Sequence, residues 1–148
     1  MLSRMRPGAP GSRPAAATVE LAVLLPFLAF MFLLATDYAR VFYYSITVEN
    51  CARNGALWAS DPLVQSQSPY ATVQDAAVAD AGSLGPALAA SNVTSASGVD
   101  NSGNAYVSCT VTYTFQTITG FAPMPSSLTM TRTVQMRTAP TLPTNIPP

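Results

Sequence analysis

The sequence predicts an α+β protein: one long N-terminal helix crosses a membrane, continues beyond it, and leads into a small extracytoplasmic domain with a roughly three-stranded antiparallel sheet. Three observations carry this prediction. Between Arg13 and Asp37 lie twenty-three residues with Glu20 as their single ionisable group. Small and apolar residues then recur at three- and four-residue steps as far as Ala59. From Val93 to Thr138 the pattern changes to two-residue alternation rich in Thr, Val, Ser and Tyr, the period of strands.

As a helix, residues 14–36 would span about 34 Å, enough for a hydrocarbon core of about 30 Å. The block from Leu21 to Ala35 is apolar on every face, which suits lipid better than a half-exposed soluble helix. Arg4, Arg6 and Arg13 precede it with no acid among them. Such a basic flank stays in the cytoplasm. Residues 1–15 are therefore read as a basic cytoplasmic leader and 16–36 as a single pass of the inner (cytoplasmic) membrane. Everything from residue 37 onward falls outside. A cleaved secretory signal fits less well, because Asp37 and Tyr38 break the small-x-small pattern expected around Ala35 to Arg40. A buried helix of a soluble protein would need a larger core than 148 residues supply. A plain uncleaved anchor meets the same requirements of length and charge.

Composition removes many chemistries. The chain has seven Arg, seven acids, no Lys and no His, so His triads, His metal sites, Lys Schiff bases and P-loops are excluded. The Ser and Thr side chains have no neighbouring base type to activate them. Asp61, Asp75, Asp80 and Asp100 read as turn and surface residues. No catalytic residue, cofactor, metal or small-molecule substrate is expected, and the single basic cluster beside an apolar stretch argues against nucleic acid as a partner.

Past the membrane, residues 37–60 continue as an amphipathic helix whose stripe is Tyr38, Val41, Phe42, Ser45, Val48, Ala52, Gly55 and Ala59, facing the chain's own sheet. Glu49 and Arg53 form a supporting i, i+4 pair. Ser60, Asp61 and Pro62 end the helix. Residues 61–139 then make an α+β region. Within it, 62–69 reads as a polar connector, and Ser68 with Pro69 introduces a short helix from about Tyr70 to Ala81. Val73, Ala77 and Leu84 point inward, and a weak turn follows at Ala87 to Ala90. Strands are expected at Val93 to Ser97, Ala105 to Phe115 and Leu128 to Thr138, with Arg132 interrupting the apolar face of the last. Gly98 to Gly103 and Gly120 to Ser126 connect them, and residues 140–148 form a Pro-rich tail.

Cys51 and Cys109 are the only cysteines, and both fall where disulfides persist. A bond between them would close 57 intervening residues and contribute about 4 kcal/mol by loop entropy. The alternative is that each is a small buried apolar residue.

A carboxylate inside an apolar helix costs on the order of 3 kcal/mol, so Glu20 either reaches interfacial water or has a partner. The run from Ala15 to Pro26, with Glu20 and a Pro six residues beyond it, resembles the start of TadE-like proteins, pseudopilins of bacterial tight-adherence (Tad, or Flp-type) pilus systems. Asp37, Tyr38, Ala39 and Arg40 and the stretch from Asn50 to Ala56 extend the likeness. The resemblance implies a pilin-like fold and cleavage by a prepilin peptidase between Ala15 and Ala16, with Ala15 standing where the family usually has Gly. It also implies assembly with other pilin or Tad-system proteins through a helix in which Glu20 and Pro26 matter. Cleavage would create an ammonium at Ala16 that a neighbouring copy's Glu20 neutralises. The implied function is a non-enzymatic minor pilin or pseudopilin of a Tad-type pilus or secretion system. The alternative is an uncleaved single-pass envelope protein whose outer domain binds a protein or cell-wall partner.

Overall fold

Arg13 to Ser60 form one helix of 48 residues, α1, roughly 72 Å long at about 1.5 Å per residue. The computed structural model describes residues 13–118, 120 and 125–140, with side chains from residue 16 onward. Arg4, Arg6 and most of the leader therefore lie outside the described residues, as do much of the 120–126 loop and residues 141–148. The helix runs through Pro26, which removes one backbone donor without ending it.

The two halves of α1 have opposite surroundings. From Ala16 to Leu33 every residue is exposed. From Asp37 onward one face is covered, by Asp37, Thr47, Val48, Cys51, Ala52, Gly55, Ala56 and Ser60. The helix thus packs on its own domain, but the inward line is not quite the expected one. Tyr38 and Phe42 are 48% and 68% exposed, and the inward positions run Asp37, Val41, Tyr44, Val48, Cys51 and Gly55. Steps of four and three residues keep that line on one face. Polarity misleads here because the chain just past the second strand offers Asp37 a hydrogen-bond donor, the Ile118 amide, whereas Tyr38 and Phe42 lie on the uncovered side of the helix.

Ser60 ends α1 as expected, yet Asp61 and Pro62 also start a helix. In α2, Pro62–Gln67, the Asp61 carboxylate accepts the Leu63 amide at 2.8 Å and Pro62 takes the first position, where its missing N–H is harmless. The expected connector over 62–69 is therefore corrected to a helical turn. The next helix does not start at Ser68 and Pro69. It is α3, Val73–Val78, capped by Thr72, whose hydroxyl accepts the Asp75 amide at 3.1 Å and donates to the Asp75 carboxylate at 2.7 Å. Two-way bonding between Thr72 and Asp75 outcompetes Ser68, which turns back to accept the Tyr70 amide. A 3-10 turn, Ala79–Ser83, follows in place of the last part of the expected helix, and another over Ala90–Asn92 lies beyond the turn expected at 87–90. Ala77 and Leu84 are buried and Val73 packs against the core, as predicted.

The sheet has three antiparallel strands in sequence order, β1 (Val93–Val99), β2 (Ala105–Gln116) and β3 (Ser127–Arg137). Asp100 holds the β1–β2 turn by accepting the amides of Ser102 and Asn104. Those hydrogen bonds lower its carboxyl pKa. Gly103 takes the positive φ of +82°. The alternation predicted for β2 is realised: Cys109, Val111, Tyr113 and Phe115 are buried under α1. On the other face threonines pair across strands, Thr110 with Thr133 at 2.8 Å, Thr112 with Thr131 at 3.3 Å and Thr114 with Thr129 at 3.2 Å. Arg132 does not spoil the inner face. It sits on the edge strand opposite Val111 and reaches the Ser45 hydroxyl of α1 at 2.6 Å.

Candidate assembly stem and its junction with the head

Residues 15 and 16 lie in the first turns of α1, and Glu20 follows one turn on. Its side chain is exposed beside Val19, Val23 and Leu24 and makes no ion pair among the described residues. Pro26 lies six residues further along the same exposed rod. The structure therefore keeps Glu20 and Pro26 away from the head domain, on a stem with nothing of its own to pack against. Exposed Leu, Val and Phe over some eighteen residues form an apolar surface that water does not tolerate, so the stem requires lipid or other helices around it.

Where the stem meets the head, the controlling group is Asp37. Its carboxylate is fully buried, accepts the Ile118 amide at 3.0 and 3.2 Å, and lies 3.3 Å from the Arg40 guanidinium. Arg40 in turn covers the rings of Phe115 at 4.8 Å and Tyr44 at 5.7 Å. Tyr44 meets Tyr113 and Phe115 edge-on at 6.0 and 5.3 Å between centroids. Tyr113 donates its hydroxyl to the Pro86 carbonyl at 2.9 Å, and burial pushes its phenol pKa up, with Tyr44 adding and Arg40 opposing. A buried charge is stable only when paired and hydrogen-bonded, and Asp37 has both. The cluster fixes the end of β2 to the point where the helix leaves the apolar stretch. Sequence reasoning named Asp37 only as a break in the signal-cleavage pattern and as part of the family likeness, and gave it no buried role; the available signal was an acid three residues before an Arg, directly after an apolar block.

Cys51 and Cys109 are buried at the interface of α1 with β2. The structure holds both as free thiols, so it does not contain the bond the sequence suggested. Burial, with the Asp80 charge second, pushes the Cys51 pKa up to about 11, and burial raises that of Cys109. Gly55 is what lets Cys109 in: a Cβ there would stand 2.6 Å from its sulfur and 3.2 Å from the Ala77 Cβ. In this free-thiol state both are small buried side chains with raised pKa values. Glu49 and Arg53 form the expected surface pair at 3.3 Å. Asp80 accepts from Asn54 at 2.6 Å, tying the 3-10 turn to α1.

A separate groove of about 160 Å³ lies between Asn54, Leu57 and Trp58 of α1 and Val64, Ser68, Tyr70 and Ala76. The Trp58 indole N–H is buried there without an acceptor among the described residues, an arrangement that costs about 1–3 kcal/mol. Among the described residues no group of three acids or cysteines could hold a metal ion.

Stem and head together define a class of protein: an α+β domain carried on one helix long and apolar enough to cross a membrane. Residues 15–57 match the family model described as TadE-like protein, the family that the residues around Glu20 and Asn50 to Ala56 resemble. The match covers the bare stem and most of the length of α1 that packs on the head. No curated protein and no solved structure matches the chain.

Proposed function

We propose that this chain is a non-enzymatic minor pilin or pseudopilin of a Tad-type pilus or secretion system, assembling through α1 after prepilin-peptidase cleavage between Ala15 and Ala16. The observation that carries the reading is the division of the TadE-like segment into a wholly exposed apolar half and a half built into the head's core. A stem of that kind can be drawn from the inner membrane into a bundle of like helices without disturbing the head. In such a bundle the new ammonium at Ala16 of one copy and Glu20 of another neutralise each other, and each would be costly alone in a low-dielectric layer. Orientation follows from Arg4, Arg6 and Arg13, which keep the leader in the cytoplasm and the head outside.

The test is the intact mass and N-terminal sequence of the protein taken from native membranes, together with pilus assembly by Glu20→Gln. A chain starting at Ala16 and loss of assembly by the variant are expected. A chain retaining residues 1–15, or normal assembly by Glu20→Gln, overturns the reading in favour of an anchored envelope protein.

A further inference from the structure

Between Glu20 and Glu49 the only charged residues are Asp37 and Arg40, and both are turned toward the head. Asp37 is fully buried, and the Arg40 guanidinium lies over Phe115. What the same level of the molecule presents outward is apolar. Tyr38, Phe42 and Tyr43 of α1 are 48%, 68% and 54% exposed, and Ile118, on the side where the head packs, is 61% exposed. The Asp37 carboxylate accepts the Ile118 amide at 3.0 Å, so this corner of the head offers an apolar side chain with its backbone donor already satisfied.

Height along α1 says what covers this collar. At about 1.5 Å per residue, residues 16–36 fill a hydrocarbon core of about 30 Å, and the next five cross a headgroup layer of roughly 5–8 Å. Helical side chains lean toward the N-terminus, which tilts Tyr38, Phe42 and Tyr43 back toward the apolar stretch. A single neighbouring helix would cover one stripe of α1, whereas the collar has members both on the outer face of the helix and beside the head at Ile118. A lipid surface reaches both. Aromatic side chains are also at home in that layer, where an apolar ring meets lipid and a polar tip meets water. We propose that the base of the head is seated in the headgroup layer on its own side of a bilayer, with Tyr38, Phe42 and Ile118 as its lipid contacts. The inference rests on the reading of α1 as a membrane-spanning stem, and it adds the height at which that stem carries the head.

Trp58 is the only tryptophan and stands 16 residues beyond Phe42 on α1, about 24 Å further from the bilayer. In the wild-type chain it therefore supplies a background that quenchers held in lipid leave unchanged. Full-length Phe42→Trp and Ile118→Trp, each reconstituted in vesicles of phosphatidylethanolamine and phosphatidylglycerol, should add blue-shifted emission to that background. Lipid carrying a nitroxide near its glycerol backbone should quench most of the added emission and spare that of Trp58. Tyr38→Trp gives the same reading if circular dichroism shows that either variant fails to fold. Added emission that is water-like and unquenched overturns the proposal. Blue-shifted emission that ignores the nitroxide and is lost as the protein is diluted with lipid overturns it too, because the occupant is then a second copy. Phe27→Trp, read with a nitroxide at the end of the acyl chain, separates this inference from the reading beneath it. Quenching there with none at positions 42 and 118 removes the seated head and leaves the spanning stem, whereas no quenching at any of the three removes both.

Discussion

The carboxylate of Asp37 and the backbone amide of Ile118, 81 residues apart in sequence, meet at 3.0 Å in the interior where the stem joins the head. This one contact joins the first turn of α1 beyond the apolar stretch to the chain leaving β2. It also aims the Arg40 guanidinium across Phe115 and Tyr44, so a polar contact organises the apolar cluster around it.

Asp37→Ala should therefore be costly. Hydrogen bonds to a charged group contribute about 1.5–3 kcal/mol, and a loss in that range is expected for the head, with Asp37→Asn losing less because it keeps one acceptor. Urea unfolding followed by Trp58 fluorescence measures this as a lowered midpoint at constant slope. An unshifted midpoint for the Ala variant would show that the contact is incidental.

Gly55→Ala should destabilise by about 1–3 kcal/mol, because the added methyl overpacks a filled interface. It would meet the Cys109 sulfur at 2.6 Å. Removing that sulfur in a Gly55→Ala, Cys109→Ala double variant should recover part of the loss. The coupling is read from a double-mutant cycle of unfolding free energies, and strict additivity would contradict the packing argument.

The raised Cys51 pKa gives a pH dependence of definite sign. Below about pH 9 the thiol is protonated in both folded and unfolded chains, so its full contribution is present. Between about 9 and about 11 the unfolded chain ionises while the folded one keeps its proton, and stability falls as pH rises. The loss from this group is on the order of 2 kcal/mol across that window. Unfolding midpoints from pH 8 to 11 should fall less steeply in Cys51→Ala. At pH 8 an alkylating reagent should modify Cys51 far more slowly in the native protein than in the unfolded one.

The outer threonine rows should matter little to stability. Replacing Thr112 and Thr131 together by Val removes both partners of an exposed hydrogen bond while keeping branched side chains in the strands, so a change within about 0.5 kcal/mol is expected. Thermal unfolding checks it, and a much larger loss would mean that this face is structurally engaged.

The parts of the fold legible beforehand were those written in periodicity. The three-and-four spacing from Val48 to Gly55, the alternation of Cys109, Val111, Tyr113 and Phe115, and the stop at Ser60 each depend on residues within a few positions of one another. The helix starts at Pro62 and Val73 were misread because two local signals competed there. Ser68-Pro69 resembles a start as well as Thr72 with Asp75 does, and only the bonds made in place separate them. Among the site residues, Glu20 and Pro26 stood out because an acid and a proline are conspicuous in an apolar run. Asp37 did not, since its partner Ile118 belongs to another part of the chain.

By itself the sequence determined the long apolar stem, its basic flank, the change from helix to strand periods and the absence of His and Lys chemistry, because composition and spacing are local properties of the chain. Only the tertiary structure decided that Asp37 points inward while Tyr38 and Phe42 point out, that Gly55 makes room for Cys109, and that the chain returns at Ala139 to the end of α1 beside Trp58. Each of these depends on which distant donor, sulfur or carbonyl fills the space opposite a residue. Local spacing carries no record of that.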